Sequence, residues 1–178
     1  ISQIEIGEIK MHYEHFDLVN LCTEVFDQLD EKAEKKELNV TFSHEGKSEI
    51  FVNADFQRIY QVMINLMSNA IKYTRKKGGI SIDLTTEEDK VKVTVSDTGK
   101  GIPKEDISRI FERFYRVEKS RSKEKGGTGL GLSIVKHIME GHQSKIEVAS
   151  EVGVGSKFWF TLDKGEPGPR IRWEDEED

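Results

Sequence analysis

Apolar residues recur along this chain with two periods. Leu18, Leu21, Cys22, Val25, Phe26 and Leu29 follow the i, i+3, i+4, i+7 rule, which predicts a helix with one buried face and Asp17 at its N-cap. Ile59, Val62, Met63, Leu66, Met67, Ala70 and Tyr73 predict a second helix after Asp55, another N-cap residue. Leu132, Ile134, Val135, Ile138 and Met139 predict a third. Elsewhere the period is two. Residues 11–16, then Leu38, Val40 and Phe42, then Ile50 and Val52, read as short strands. Ile80, Ile82 and Leu84 face Val91, Val93 and Val95 across a polar turn at residues 85–89, a hairpin. Ile146 and Val148 face Phe158, Phe160 and Leu162 across Gly153-Val154-Gly155, a second one. Hairpins join neighbouring strands directly, whereas a doubly wound parallel fold needs a crossover between each pair. The expected class is therefore α+β: a two-layer α/β sandwich with a mixed, mostly antiparallel sheet covered on one face by three helices.

Composition narrows the partners. The 178 residues carry 27 Lys plus Arg against 33 Asp plus Glu, a formal charge of −6, and 35% are hydrophobic. That is one domain's worth of chain without the basic face of a nucleic-acid binder, so none is expected as a partner. No apolar run nears the roughly 20 residues that span a bilayer, and no signal-peptide pattern opens the chain. With one cysteine, Cys22, on the buried face of the first helix, a reducing, cytoplasmic setting is expected. Residues 98–131 form a polar stretch longer than the roughly 12–15 residues usual for a plain loop, which fits a lid over a site.

Three elements could carry chemistry. Gly126-Gly127-Thr128-Gly129-Leu130-Gly131 runs straight into the third helix. Glycines let N–H groups turn toward an oxyanion, and a helix N-terminus adds positive potential, so the junction suits a polyphosphate; the same letters also make an ordinary turn. Asp97-Thr98-Gly99-Lys100-Gly101 stands at a strand end, where a carboxylate can accept from an exocyclic amine while glycines admit a flat ring; a turn again explains the letters. Asn65, Asn69 and Lys72 share a helix face beside the apolar stripe. Amide oxygens one turn apart suit Mg²⁺ that also keeps water and phosphate ligands, and a solvated face gives the same pattern.

The order and spacing of these elements resemble a known family. Asn65-Leu-Met-Ser-Asn69-Ala-Ile-Lys72-Tyr73 is similar to the N box, Asp97-Thr-Gly99-Lys-Gly101-Ile102 to the G1 box, Phe111-Glu-Arg113-Phe114-Tyr-Arg116 to the F box, and Gly127-Thr128-Gly129-Leu130-Gly131 to the G2 box of bacterial sensor histidine kinases, relatives of gyrase, Hsp90 and MutL ATPases. The resemblance covers about residues 11–163. It implies that Asp97 reads the adenine amine, with Gly99, Gly101 and Ile102 lining the base pocket. It implies Asn69 as a Mg²⁺ ligand with Asn65 near the metal or phosphates, Lys72 and Tyr73 at the phosphates and ribose, and residues 127–131 around the triphosphate. Arg113 or Arg116 would reach the γ-phosphate from a lid anchored by Phe111 and Phe114.

The implied activity is protein histidine kinase: Mg²⁺-ATP is bound and its γ-phosphate passed to a His on a dimerisation domain, for relay to a response regulator. None of the five histidines sits in a phosphoacceptor pattern. Residues 1–10 resemble the end of that domain's second helix, residues 11–164 form the catalytic domain, and residues 165–178 read as a flexible acidic tail. The parent is expected to be a membrane-anchored homodimer, and this fragment monomeric. Two other functions fit the pocket: ATP hydrolysis, disfavoured because Asn65 replaces the water-activating Glu of the hydrolysing relatives, and a catalytically silent nucleotide-binding module.

Overall fold

A computed structural model describes residues 10–116 and 131–168. The elements are β1 (Glu14–Asp17), α1 (Leu18–Lys35), β2 (Asn39–Ser43), β3 (Phe51–Ala54), α2 (Phe56–Tyr73), β4 (Gly79–Thr86), β5 (Lys90–Asp97), α3 (Lys104–Ile107), α4 (Gly131–Gly141), β6 (Glu147–Glu151) and β7 (Gly155–Lys164). One seven-stranded sheet runs β1-β3-β7-β5-β4-β2, with β6 paired to β7. Every pairing is antiparallel except β2 with β4. The two-layer, mostly antiparallel sandwich is the architecture the periodicity predicts.

Alternation sorts the two faces of the sheet. Ile80, Ile82 and Leu84 on β4, Val91, Val93 and Val95 on β5, and Phe158, Phe160 and Leu162 on β7 are buried. Ser81, Asp83, Lys92 and Thr94 alternate with them on the opposite, polar face. The partly exposed Trp159 keeps its indole satisfied by donating to Glu147 at 2.7 Å. Helix α2 packs against α1 on one side and α4 on the other. Its Ile59, Val62 and Met63 are wholly buried, each burial contributing about 1.5–3 kcal/mol.

Local chemistry sets where the helices start. The Asp17 carboxylate accepts from Val19 N–H at 3.0 Å and also from Ile50 N–H at 3.0 Å, so one side chain caps α1 and ties it to the approach of β3. Asp55 caps α2 through Arg58 N–H at 3.2 Å. Its second oxygen takes His12 N–H at 3.0 Å, which explains why the first strand begins at Glu14 and not Met11. The His12 amide is spent on a cap instead of a ladder. His142 closes the junction: its Nδ1–H donates to Ile138 O at 2.9 Å, and its Nε2 accepts Asp55 N–H at 3.1 Å. Only the neutral ring protonated at Nδ1 makes both bonds.

Two features add to the periodic elements. The polar stretch after Asp97 is not structureless, because α3 forms after Pro103 with Glu105 and Asp106 in its first turn, and Ile110 is buried at 5% exposure. Beyond β7, Gly165 N–H donates to Phe51 O at 2.9 Å and Glu166 N–H to His15 Nδ1 at 3.0 Å, so the chain continues along β1 and β3 before residue 167. The expectations for residues 1–9 and 169–178 lie outside the described residues.

Candidate functional site

A cleft of about 290 Å³ opens between the C-terminal half of α2, the end of β5 and the segment running from Lys100 to Arg116. Leu66, Ala70, Val95, Ile110 and Phe158 make its apolar lining. Its size and mixed lining suit part of a small ligand with a few directing polar groups.

Asp97 is the acid of this cleft. It ends β5, in register with Ile80 of β4 and Ser156 of β7, so two ladders position its backbone. Its Oδ1 accepts Gly99 N–H at 2.8 Å. Burial pushes the carboxyl above the usual carboxylate range, outweighing the opposite pull of the Gly99 and Ser156 amides that donate to it. An acid strained in this way gains from a ligand that donates to it.

The turn after Asp97 needs glycine for reasons internal to the protein. A Cβ on Gly99 would stand 2.6 Å from the Tyr73 carbonyl oxygen, and one on Gly101, at φ +77°, would stand 2.2 Å from that of Glu151. Gly101 and Ile102 line the cleft, while Gly99 lies beneath it as the buried contact with α2. Ser150 stitches the turn to the last hairpin: its Oγ accepts Ile102 N–H at 2.8 Å and donates to Gly155 O at 3.0 Å. Gly153 N–H adds a bond to Lys100 O at 2.8 Å.

Asn69, Lys72 and Tyr73 come from the last turns of α2 and line the cleft. Asn65, one turn earlier, donates through Nδ2 to Gly131 O at 3.2 Å, fastening α2 to the start of α4. Among the described residues no group of three or more His, Cys, Asp or Glu side chains could hold a metal. The amide oxygens that α2 offers, Asn69 in the cleft lining and Asn65 one turn before it, are a donor type that suits Mg²⁺ when phosphates complete its coordination. Lys72 and Lys100 both hold their ammonium groups over the Tyr73 ring, at 5.4 and 5.3 Å. With Arg116 they give the cleft three cations against one acid among its described lining residues.

The segment expected to anchor a lid divides. Phe111 packs edge-on against Phe158 at 6.3 Å, while Phe114, at φ +64°, is 67% exposed among the described residues. Arg116 lines the cleft; Arg113 is exposed and stands outside its lining. Tyr115 also lines it and donates its phenol to Asp106, a bond that raises the phenol's pKa. Gly127, Thr128, Gly129 and Leu130 lie outside the described residues, while Gly131 opens α4 at the cleft. Sequence reasoning passed over Lys100, Ile110, Tyr115, Ser150 and Ser156. The spacing Ile107, Ile110, Phe111 was a legible signal for a packed turn, whereas nothing local marks Ser150.

The model of the histidine kinase-, DNA gyrase B- and HSP90-like ATPases matches residues 54–166, more than half of the chain. The chain belongs to this family. Within the family it is similar to histidine kinases. The circadian input-output histidine kinase CikA of Synechococcus elongatus is 35% identical over 96% of this chain and 24% of its own length. The crystallised catalytic domain of histidine kinase ThkA is 35% identical with a TM-score of 0.76, covering 86% of this chain and 97% of that one. A ThkA structure in complex with the response regulator protein TrrA is 32% identical with a TM-score of 0.73, over 87% of this chain and 42% of that one. Full-length ShkA in complex with AMPPNP is 26% identical with a TM-score of 0.77, over 89% of this chain and 33% of that one. The chain is thus a catalytic, ATP-binding domain of the histidine kinase type, and it spans about a quarter of the length of curated relatives such as CikA and the sensor histidine kinase WalK of Bacillus subtilis. Among the described residues of this histidine kinase domain, no helix is long and apolar enough to cross a membrane.

Proposed function

We propose that this domain binds Mg²⁺-ATP in the Asp97 cleft and presents the γ-phosphate to a histidine on a dimerisation domain of the same protein, from which a response regulator takes it. The observation that carries this reading is one half-buried acid, held by two amides, sharing a single cleft with the cations Lys72, Lys100 and Arg116. Asp97 would accept from the adenine amine over the apolar lining of Val95 and Phe158. Lys72, Lys100 and Arg116 would face the phosphates, and Tyr73 the ribose. Asn69, with Asn65 beside it, would hold Mg²⁺, which supplies neutralisation of phosphate charge. The glycines at 127, 129 and 131, with Thr128 and Leu130, would follow the triphosphate, and Arg113 would join Arg116 on closure.

Phosphoryl transfer asks a protein chiefly for positioning and charge stabilisation, so the domain needs no nucleophile of its own. Asn65 supports transfer over hydrolysis. Its amide takes no proton near neutral pH, and its nitrogen is turned to Gly131 O, so it is no base for water. The AMPPNP bound to ShkA and the TrrA bound to ThkA support the nucleotide and the relay partner by likeness. From the resemblance of its motifs to sensor histidine kinases we also read the parent as a membrane-anchored homodimer with this domain on its cytoplasmic side.

Labelled γ-phosphate ATP, incubated with this domain and the helical dimerisation domain of its parent, tests the reading. Label on a histidine of that partner, dependent on Mg²⁺ and Asn69, is expected. Steady phosphate release without transfer would favour the hydrolysing alternative, and nucleotide binding with neither would favour a silent module.

A further inference from the structure

We propose that Lys36 is a positioning residue for the nucleotide cleft, acting through the carbonyl groups that end α2. It stands just past α1, half-buried, and is not itself a lining residue of the cleft. Its ammonium donates to three main-chain oxygens, those of Ile71 at 2.6 Å, Lys72 at 3.0 Å and Thr74 at 2.9 Å. The last carbonyls of a helix have no partner within it, and an ammonium has three donors to offer. The negative end of the helix favours the same charge. Through its own carbonyl, Lys36 also accepts Lys77 N–H at 2.9 Å, closing the loop that leaves α2. One residue therefore fixes the helix end by both its side chain and its backbone.

What this end supports is the cleft. Lys72 and Tyr73, two of its lining residues, lie in the braced turn. The carbonyl of Tyr73, in the same turn, presses on the buried Gly99, leaving 2.6 Å where a Cβ would be. The Gly99 amide in turn holds the Asp97 carboxylate at 2.8 Å. A chain of backbone contacts thus runs from Lys36 through Tyr73 and Gly99 to Asp97. Without the ammonium, three carbonyls of a part-buried helix end lose their donor together, and the turn that sets Asp97 loses its backstop.

The inference rests on the nucleotide reading for its functional part, so its test has one readout with nucleotide and one without. Lys36→Met removes the donors and keeps most of the stem; Val25→Ala, in the buried face of α1, lowers stability while leaving the three Lys36 bonds in place. In the nucleotide-free domain, Lys36→Met is expected to speed amide exchange at Gly99 by about tenfold relative to Val25→Ala at matched global stability. Calorimetry is expected to show ATP affinity falling by about tenfold in Lys36→Met and less than about twofold in Val25→Ala. Lys36→Arg keeps the charge but presents a flat fork that cannot converge on three carbonyls, so it should shift both readouts in the same direction by less. If Lys36→Met is too unstable to measure, Lys36→Arg carries the test alone. Unchanged Gly99 exchange, or equal losses in Lys36→Met and Val25→Ala, would overturn the positioning role. A wild-type domain that binds no ATP would instead overturn the nucleotide reading.

Discussion

Asp97→Asn isolates a charge in a shape that barely changes. In the folded domain Oδ1 of Asp97 accepts Gly99 N–H at 2.8 Å, and the Ser156 amide also donates to the carboxylate. An asparagine keeps its carbonyl oxygen on these donors and must then turn its NH₂ into the cleft, where the adenine amine would be a second donor. Losing a hydrogen bond to a charged group costs about 1.5–3 kcal/mol, and an unsatisfied buried donor costs about 1–3 kcal/mol. Taking about 3 kcal/mol in all, ATP affinity should fall roughly 100-fold. Stability should move the other way. Burial raises the folded pKa of Asp97 above its unfolded value, so its contribution is fully present below the unfolded pKa and is lost as pH rises through the folded one. At neutral pH the ionised group therefore weakens the empty fold, and the variant should melt higher than the wild type, with the gap closing as pH falls through the carboxylate range. Calorimetric titration with ATP and thermal unfolding at neutral and acid pH measure both. ATP affinity unchanged in Asp97→Asn, or a lower melting temperature at neutral pH, would refute the account of this acid.

Gly155 sits at φ +146°, and a Cβ there would stand 2.0 Å from the Asp97 carbonyl oxygen. Gly155→Ala should cost about 3 kcal/mol of stability in urea titration, by forcing β5 and β7 apart where Asp97 pairs with Ser156. Asn69→Ala should remove the Mg²⁺-dependent part of ATP binding, about tenfold in affinity, and leave adenosine binding intact; calorimetry with and without Mg²⁺ separates the two. Cys22 is wholly buried, and burial pushes its thiol up to about 12. Its labelling by an aromatic disulfide at neutral pH should thus track global unfolding across a denaturant series, and rapid labelling of the native domain would contradict that burial.

The features legible in the sequence are the local ones. The caps at Asp17 and Asp55 declare themselves because capping is a matter of a few bonds near one residue, and both hairpins follow from alternation alone. The three chemical motifs are visible as residue types, yet their convergence needs the sheet order. Asp97 meets Ser156 only because β5 lies beside β7, and Asn65 meets Gly131 only because α4 packs on α2. The parallel pairing of β2 with β4 is equally out of reach, since nothing between Ser43 and Gly79 specifies it locally. A polar residue that serves a distant backbone is the hardest to see. Lys36 and Ser150 carry no motif, and among many charged and hydroxyl residues only tertiary contact distinguishes them.

These contacts divide the site into a braced side and an adaptable side. Helix α2 is held at its start by Asp55 and His142, in its middle by Asn65 on Gly131 O, and at its end by Lys36. The cleft-lining Asn69, Lys72 and Tyr73 fall between the last two points, so their backbone has little freedom to move. Across the cleft, the chain from Pro103 to Arg116 is fastened by Ile110 and Phe111, by the packing of α3 on β6, and by local bonds such as Arg109 to Glu112 at 3.1 Å and Tyr115 to Asp106. Local bonds of that kind travel with a segment and do not oppose its displacement. On the nucleotide reading, closure would carry Arg113, Phe114 and Arg116 with this segment, while the ladders to β4 and β7 hold Asp97 in place. That is the arrangement a transfer reaction needs, because the base and metal ends must stay fixed while the charge-stabilising end comes and goes with its substrate.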